Sequence, residues 1–163
     1  MDFFNVVNKR RSTREYSNKP IKPKDLEKII AAGQLAATAR NEQPWQFVVV
    51  SDKEKIQELG QMVSPNGAFL AGANAAIVVL SEETKYFLED CSAATENILL
   101  AAAALGIGAC WIAGDKKDYA AKVAAFVQAR SGERLISVIA LGYPAHPVTP
   151  VPKKPLSSLI RWL

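Results

Sequence analysis

Five residues near the start of the chain, Arg10-Arg11-Ser12-Thr13-Arg14, place three guanidinium groups beside two hydroxyls. Guanidinium forks match phosphate oxygens bidentately, and hydroxyls and main-chain N–H groups can complete such a cradle. A charge run by itself is equally consistent with a solvated face. Two further clusters add weight to the chemical reading. Asn41-Glu42-Gln43-Pro44-Trp45 brings amides to the mouth of an apolar β-branched run, and Gly106-Ile107-Gly108-Ala109-Cys110-Trp111 follows a long alanine-rich stretch. An amide offers donor and acceptor together, which suits the edge of a heteroaromatic ring carrying C=O and N–H side by side. A loop with a buried Trp anchor is the structural alternative for the second cluster.

Other chemistries fare worse. Gly106 and Gly108 suggest a dinucleotide fingerprint, but that motif needs a strand before the glycines and a helix after them. Here the order is reversed, and Gly106 reads as a helix C-cap. No Gly-Lys-Ser/Thr run supports a phosphate loop of the Walker type. His146 is the only imidazole and sits in a proline-rich tail, so a hydrolytic triad has no base. Cys91 and Cys110 lack close Cys or His partners, which argues against a zinc site. Asp90 and Glu96 are six positions apart, on different faces of a helix, and read as solvated or capping carboxylates.

The elements that must hold these clusters follow from periodicity. Phe3, Val6 and Val7 recur at helical spacing behind a capping Asp2, and this helix ends near Arg10. Pro23 opens a second helix with Leu26, Ile29 and Ile30 on one stripe and Gly33 near its end. Further helices are predicted over 53–62, 89–105 and 119–130, with strands over 46–50, 75–80, 108–112 and 135–141 and a turn at Ser64-Pro65-Asn66-Gly67. The 89–105 helix is apolar on most faces and needs cover on all sides, which points to a partner subunit, with Ala94 and Ala101 as candidate seam positions. Alternating helices and strands imply a layered α/β or α+β domain. The tail after Tyr143 carries five prolines beyond Gly142, yet Leu156, Leu159, Ile160 and Trp162 give it something to dock.

A chain of 163 residues, 49% apolar and 22% charged, reads as one globular domain. A net charge of +4 suits anionic small molecules as well as nucleic acid and decides little. The N-terminus lacks the pattern of a secretory peptide, and the apolar stretch from Ile98 to Cys110 is too short to span a bilayer. The thiols read as small buried residues of a cytoplasmic protein.

Taken together, and in this order along nearly the whole chain, the clusters resemble the nitroreductase family of FMN-dependent oxidoreductases. The matching segments are Arg10 to Arg14, Ala37 to Trp45, Asn97 with Gly106 to Ile112, and Leu141-Gly142-Tyr143-Pro144 followed by Lys153-Lys154. The resemblance implies an α+β fold: three layers, α/β/α, with a mostly antiparallel central sheet flanked by helices. It also implies an intertwined homodimer in which 1–163 is a single FMN-binding domain and 144–163 docks on the partner subunit. Carried over by position, Arg10, Ser12 and Arg14 would meet the FMN phosphate and ribityl chain, with Arg11 adjacent, and Lys154 and Lys153 would add a C-terminal phosphate contact. Thr38, Ala39 and Asn41 would approach the isoalloxazine ring from the other subunit. Asn66 would contact the flavin, and Ala113 and Gly114 would bring main-chain N–H groups near its N5 and O4 positions. Ala37-Thr38 stands where the family usually has Pro-Ser, which alters the ring contact though a hydroxyl remains.

The activity implied is hydride transfer from NADH or NADPH through flavin to a nitroaromatic, a quinone or a similar small acceptor, by a ping-pong mechanism without an obligatory acid–base side chain. No nucleic acid or membrane partner is expected, because no stacking aromatics surround Arg10 to Arg14. The alternatives are a same-fold flavoenzyme of other chemistry, such as reductive dehalogenation or a flavin-consuming reaction, and a flavin-binding sensor or storage protein with little turnover.

Overall fold

Alternation within two apolar strands organises the molecule. In a computed structural model that describes residues 2–149 and 151–163, β2 (Ala75–Glu82) and β4 (Glu133–Gly142) lie side by side at the centre of a four-stranded sheet. β1 (Trp45–Val50) and β3 (Gly108–Ala113) are the outer strands, giving the order β1-β2-β4-β3 with every neighbour antiparallel. Successive side chains point to opposite faces. Ile77, Val79, Ile139 and Leu141 therefore enter one core, with α2 (Pro23–Gln34) and α4 (Phe87–Ala104) over it. Ala76, Val78, Val138 and Ala140 enter the other, under α3 (Lys53–Met62) and α5 (Ala120–Phe126). The result is the three-layer α+β arrangement expected, and strands buried on both faces explain why the runs in β2 and β4 show no polar alternation.

Local signals match the helix ends. Asp2 accepts from the Asn5 N–H at 3.3 Å to cap α1 (Phe3–Lys9), and Asp52 caps α3 through the Lys55 N–H at 2.9 Å. Pro23 stands in the first turn of α2. Gly106, at φ +72°, follows the last turn of α4, where Ile107 N–H returns to the Ala102 carbonyl at 2.9 Å. A left-handed residue at that place closes the helix as foreseen.

Two expectations need correction. The last helix stops at Phe126 rather than near Arg130, because Gln128 turns to φ +56°. The chain's own elements also cover more of α4 than its composition implied. Ala94 is fully buried within the chain and is not a free seam position, while Ala101 is partly buried against the same core. Apolar surface is exposed elsewhere, on Phe3 and Phe4 of α1, on Leu35, and on Leu156, Leu159 and Trp162 of the tail.

Segment 12–16 lies beside β3 and lengthens that side of the sheet. Ser12 forms a parallel bridge to Ala109, Thr13 N–H donates to the Ala109 carbonyl at 3.0 Å, and Tyr16 bridges to Pro144. Gly108 permits this approach, since a Cβ there would stand 2.6 Å from the Thr13 hydroxyl. In this way the helix-to-strand glycine cluster and the arginine run support one another. Among the described residues, no helix is long and apolar enough to cross a membrane.

Candidate functional site

The extended course of residues 10–14 puts Arg10, Ser12 and Arg14 on one side and Arg11 and Thr13 on the other, as period-2 geometry requires. Four steps of extended chain span about 13 Å, the scale of an elongated ligand rather than of a single ion. Thr13 is buried against Gly108. Arg11 bends back so that Nη1 donates to the Arg10 carbonyl at 2.7 Å, which leaves Nε buried without a partner. Arg10 lies 3.6 Å from Glu96, so that carboxylate pairs with a cation instead of being simply solvated. Lys9, Arg10 and Arg11 rim a cavity of about 210 Å³ against Gly106 to Ala109.

Arg14 reaches a second cavity, of about 150 Å³, shared with Asn66, Phe69, Trp111, Ala113 and Lys117. Its guanidinium stands 5.5 Å from the centroid of the Phe69 ring, a cation–π contact that holds the fork at the rim. The Tyr119 hydroxyl donates to the Ala113 carbonyl in a short hydrogen bond. Aromatic walls, an amide and two cations suit a planar, electron-rich ring with an anionic edge. The volume falls below the roughly 300–1,000 Å³ of a complete small-molecule site.

Cys110 lies beneath this groove, 2% exposed. Burial pushes its thiol up, while Arg14, a hydrogen bond from Ser12 and Arg10 pull it back, so all three side chains act on one neighbourhood. Burial also raises Tyr16, whose hydroxyl donates to the Thr13 carbonyl at 2.5 Å, and Tyr119. Cys91 is pushed up to about 11 by burial. A thiol kept neutral by the fold contributes stability below its ordinary value of 9.0 and loses it as the pH rises through about 11. The expected result is a melting temperature that falls between pH 9 and 11, and falls less steeply in Cys91→Ala. Equal slopes in the two proteins would contradict that linkage.

The expected site residues divide into three groups. Arg10 lines the first cavity, Arg14, Asn66 and Ala113 line the second, and Ser12 is bridged to Ala109 of β3. Gly114 departs from its expected role: its N–H donates to the Ile136 carbonyl at 3.0 Å and is spent inside the chain. This bond continues the β3–β4 register one rung beyond Ala113 and Ser137, and the same carbonyl also accepts from the Asp115 N–H at 3.0 Å. Lys153 and Lys154 are exposed, on a tail that after His146 makes no hydrogen bond or ion pair to the body among the described residues.

Thr38, Ala39 and Asn41 belong to a loop just before β1, at the other edge of the sheet. Three strand spacings, about 14 Å, separate β1 from β3. Asp90, in the first turn of α4, accepts from the Thr38 hydroxyl at 2.7 Å and from the Ala39 N–H at 3.1 Å. Only the Asn41 side chain of this trio is turned out to solvent. Three residues of the loop hold left-handed conformations, Arg40 at φ 52°, Asn41 at 58° and Gln43 at 48°. Each costs on the order of 1 kcal/mol or more, least for Asn. Pro44 disfavours the ordinary helical region for Gln43.

Sequence reading missed the positions of Lys117, Asp90 and Glu96. Lys117 reaches the groove only because Lys116 turns at φ 61°. Asp90 carried a signal, since it falls on the stripe shared by Ala94 and Ile98, both fully buried. Among the described residues, no three His, Cys, Asp or Glu side chains gather as a metal site would require.

Comparison with known proteins bears on the same segments. Residues 7–67 match "Nitroreductase family" and residues 56–162 match "Putative TM nitroreductase". A protein of Archaeoglobus fulgidus named "Putative NADH dehydrogenase/NAD(P)H nitroreductase" is 41% identical over 85% of this chain and 83% of its own. A Bacteroides thetaiotaomicron crystal structure carrying that same name superposes with a TM-score of 0.92, at 32% identity, covering 98% of this chain and 96% of that one. The structure of an "FMN-dependent Nitroreductase" from Clostridium difficile R20291 gives a TM-score of 0.87 at 30% identity, covering 91% of each chain.

Proposed function

The chain belongs to the nitroreductase family, and on that premise we propose that it is an FMN-dependent oxidoreductase that takes hydride from NADH or NADPH and reduces a small planar acceptor such as a nitroaromatic or a quinone. The observation that carries this reading is a pair of separate cavities at the two ends of segment 10–14, one cationic and one with aromatic walls. Arg10 lines the first with Lys9 and Arg11, Arg14 lines the second with Asn66, Phe69 and Ala113, and Ser12 lies between them in sequence, bridged to Ala109. A row of cations and a hydroxyl fits a phosphate and its polyol chain, and a cavity with aromatic walls and an amide fits a flavin ring. When bound, FMN supplies the two-electron chemistry between nucleotide and acceptor.

The residues of this chain then have separable tasks. Arg10 and Ser12 hold the phosphate end. Arg14 bridges toward the ring, where its positive charge favours the electron-rich reduced form. Asn66 and Ala113 orient the ring edge, Gly114 gives no N–H to it, and Trp111 and Phe69 keep water from its flank.

A homodimer completes the enclosure in this proposal. The loop with Asn41 precedes β1 and Arg14 lies outside β3, about 19 Å apart across the sheet, so the Asn41 that meets a given flavin comes from a second copy. The exposed tail with Lys153 and Lys154 reaches that copy as well, and 1–163 acts as one FMN-binding domain. One partly enclosed ring face then serves nucleotide and acceptor in turn.

Anaerobic titration of flavin-loaded protein with NADH and NADPH, followed by flavin absorbance, tests the reading. At least one nucleotide is expected to bleach the flavin stoichiometrically, and steady-state turnover is expected to give parallel double-reciprocal lines. Intersecting lines together with a detectable ternary complex would remove the shared-face mechanism. Bound flavin that neither nucleotide reduces would favour a sensing or storage protein.

A further inference from the structure

We propose that Asp90 is a positioning residue that fixes the loop 38–43 in its strained form, so that Asn41 is presented to the flavin of a second copy. Its positioning role rests on the flavin reading above; its anchoring of the loop rests on geometry alone. Asp90 is 5% exposed, yet among the described residues it has no ion-pair partner. A buried carboxylate without a cation must be satisfied by hydrogen bonds. Two of its compensations come from the loop, the Thr38 hydroxyl at 2.7 Å and the Ala39 N–H at 3.1 Å, and a third is the N-terminal end of α4.

The direction of these bonds matters. An ionised carboxylate only accepts, so the Thr38 hydroxyl must donate to it, and a lone pair of the same oxygen remains for the Gln43 N–H at 3.0 Å. Carboxylate, hydroxyl and amide thus form a relay that closes the loop across residues 38 and 43. The stretch enclosed holds all three left-handed residues of this region, Arg40, Asn41 and Gln43. Arg40 is occupied outside the ring by Glu42 at 2.6 Å. Asn41 therefore sits within the closed stretch with its side chain outward and its backbone at φ 58°. Exposed residues in unfavourable φ persist only where their surroundings over-determine them, and they gather at ligand-contacting sites.

The test compares wild type with Asp90→Asn, Thr38→Val and Thr38→Ser. Asparagine at 90 keeps the shape but removes the charge and replaces one of the two accepting oxygens with an NH2 donor, so the bonds to the loop are no longer charge-assisted. Valine at 38 removes the relay from its other end, and serine retains it. Amide exchange at Ala39 and Gln43 is expected to accelerate roughly tenfold or more in Asp90→Asn and Thr38→Val, the loss of one charge-assisted bond, and to remain near wild type in Thr38→Ser. In the flavin-loaded protein, the first two variants are expected to shift the flavin potential and absorption envelope and to lower kcat several-fold, with Thr38→Ser close to wild type.

Unchanged exchange in Thr38→Val would overturn the anchoring, and it decides alone should Asp90→Asn fail to fold. Faster exchange with potential, spectrum and kcat all at wild-type values would overturn the positioning role and leave Asp90 merely structural. Wild-type protein unable to bind FMN would sink the flavin reading, and the positioning role with it. The exchange data would still show whether Asp90 holds the loop.

Discussion

Arg14→Ala is expected to purify largely free of FMN. Its guanidinium stands at the rim shared by Asn66 and Ala113 and is held over Phe69, so it is pre-oriented toward the ring end of the groove. Loss of one charge-assisted contact costs about 1.5–3 kcal/mol, or roughly tenfold to a hundredfold in Kd. Arg10 lies four residues away on the same side of the segment and serves the other end of the ligand. Contacts separated by about 13 Å should contribute nearly additively. Arg10→Ala/Arg14→Ala is thus expected to weaken FMN by about a hundredfold to ten-thousandfold. Arg14→Lys should fall between, because lysine keeps the charge but not the planar fork. Flavin-to-protein absorbance ratios and fluorescence quenching of added FMN measure all of these. Arg130→Ala, which alters an exposed side chain outside the groove, serves as the control and should bind FMN as wild type does. A fully yellow Arg14→Ala protein would remove Arg14 from the site.

Leu159→Glu/Trp162→Glu is expected to convert a flavin-loaded dimer into monomers that lose FMN. In the single chain Leu159 is 64% and Trp162 88% exposed, on a tail whose apolar residues find no cover. Phe3 at 62% and Phe4 at 71% are similarly open on α1. Burying one large apolar side chain contributes about 1.5–3 kcal/mol. A twofold assembly counts each residue twice, so the double variant removes on the order of 6–12 kcal/mol of burial and adds charges at the seam. That is enough to dissociate an ordinary dimer at micromolar concentration. Sedimentation and flavin absorbance should change together if, as proposed, part of each enclosure, including Asn41, arrives with the second copy. A wild-type protein sedimenting as a flavin-loaded monomer would refute the arrangement.

Element types were legible in the sequence because each carries a local cause. Pro23 and Asp52 mark helix starts, Gly106 marks a helix end, and β-branched runs such as Phe47 to Val50 mark strands. The arginine run was legible for the same reason, since guanidinium chemistry belongs to the residue itself. Helix ends lacking a cap were not legible: α5 stops at Phe126 because Gln128 takes a left-handed turn that its side chain does not announce. Nor was the burial of α4. An apolar all-round helix states only that it must be covered, and α2 with the sheet covers most of it where a partner was expected.

By itself the amino-acid sequence determined which groups are available: a cationic and hydroxylic segment at 10–14, amides at 41 and 66, a glycine at 108 and a family order of motifs. Those are properties of residue type and of neighbours within a few positions. The tertiary structure alone decided which of these groups meet. Ser12 beside Ala109, Arg14 beside Asn66 and Asp90 beside Thr38 are pairs separated by some fifty to a hundred positions, brought together by strand register and helix packing that no local pattern encodes. It also decided which donors are spent, since the β3–β4 register carried one rung past Ala113 gives the Gly114 N–H to Ile136. A hydrogen bond is consumed by whichever partner the fold places within about 3 Å, and that distance is set by the packed whole.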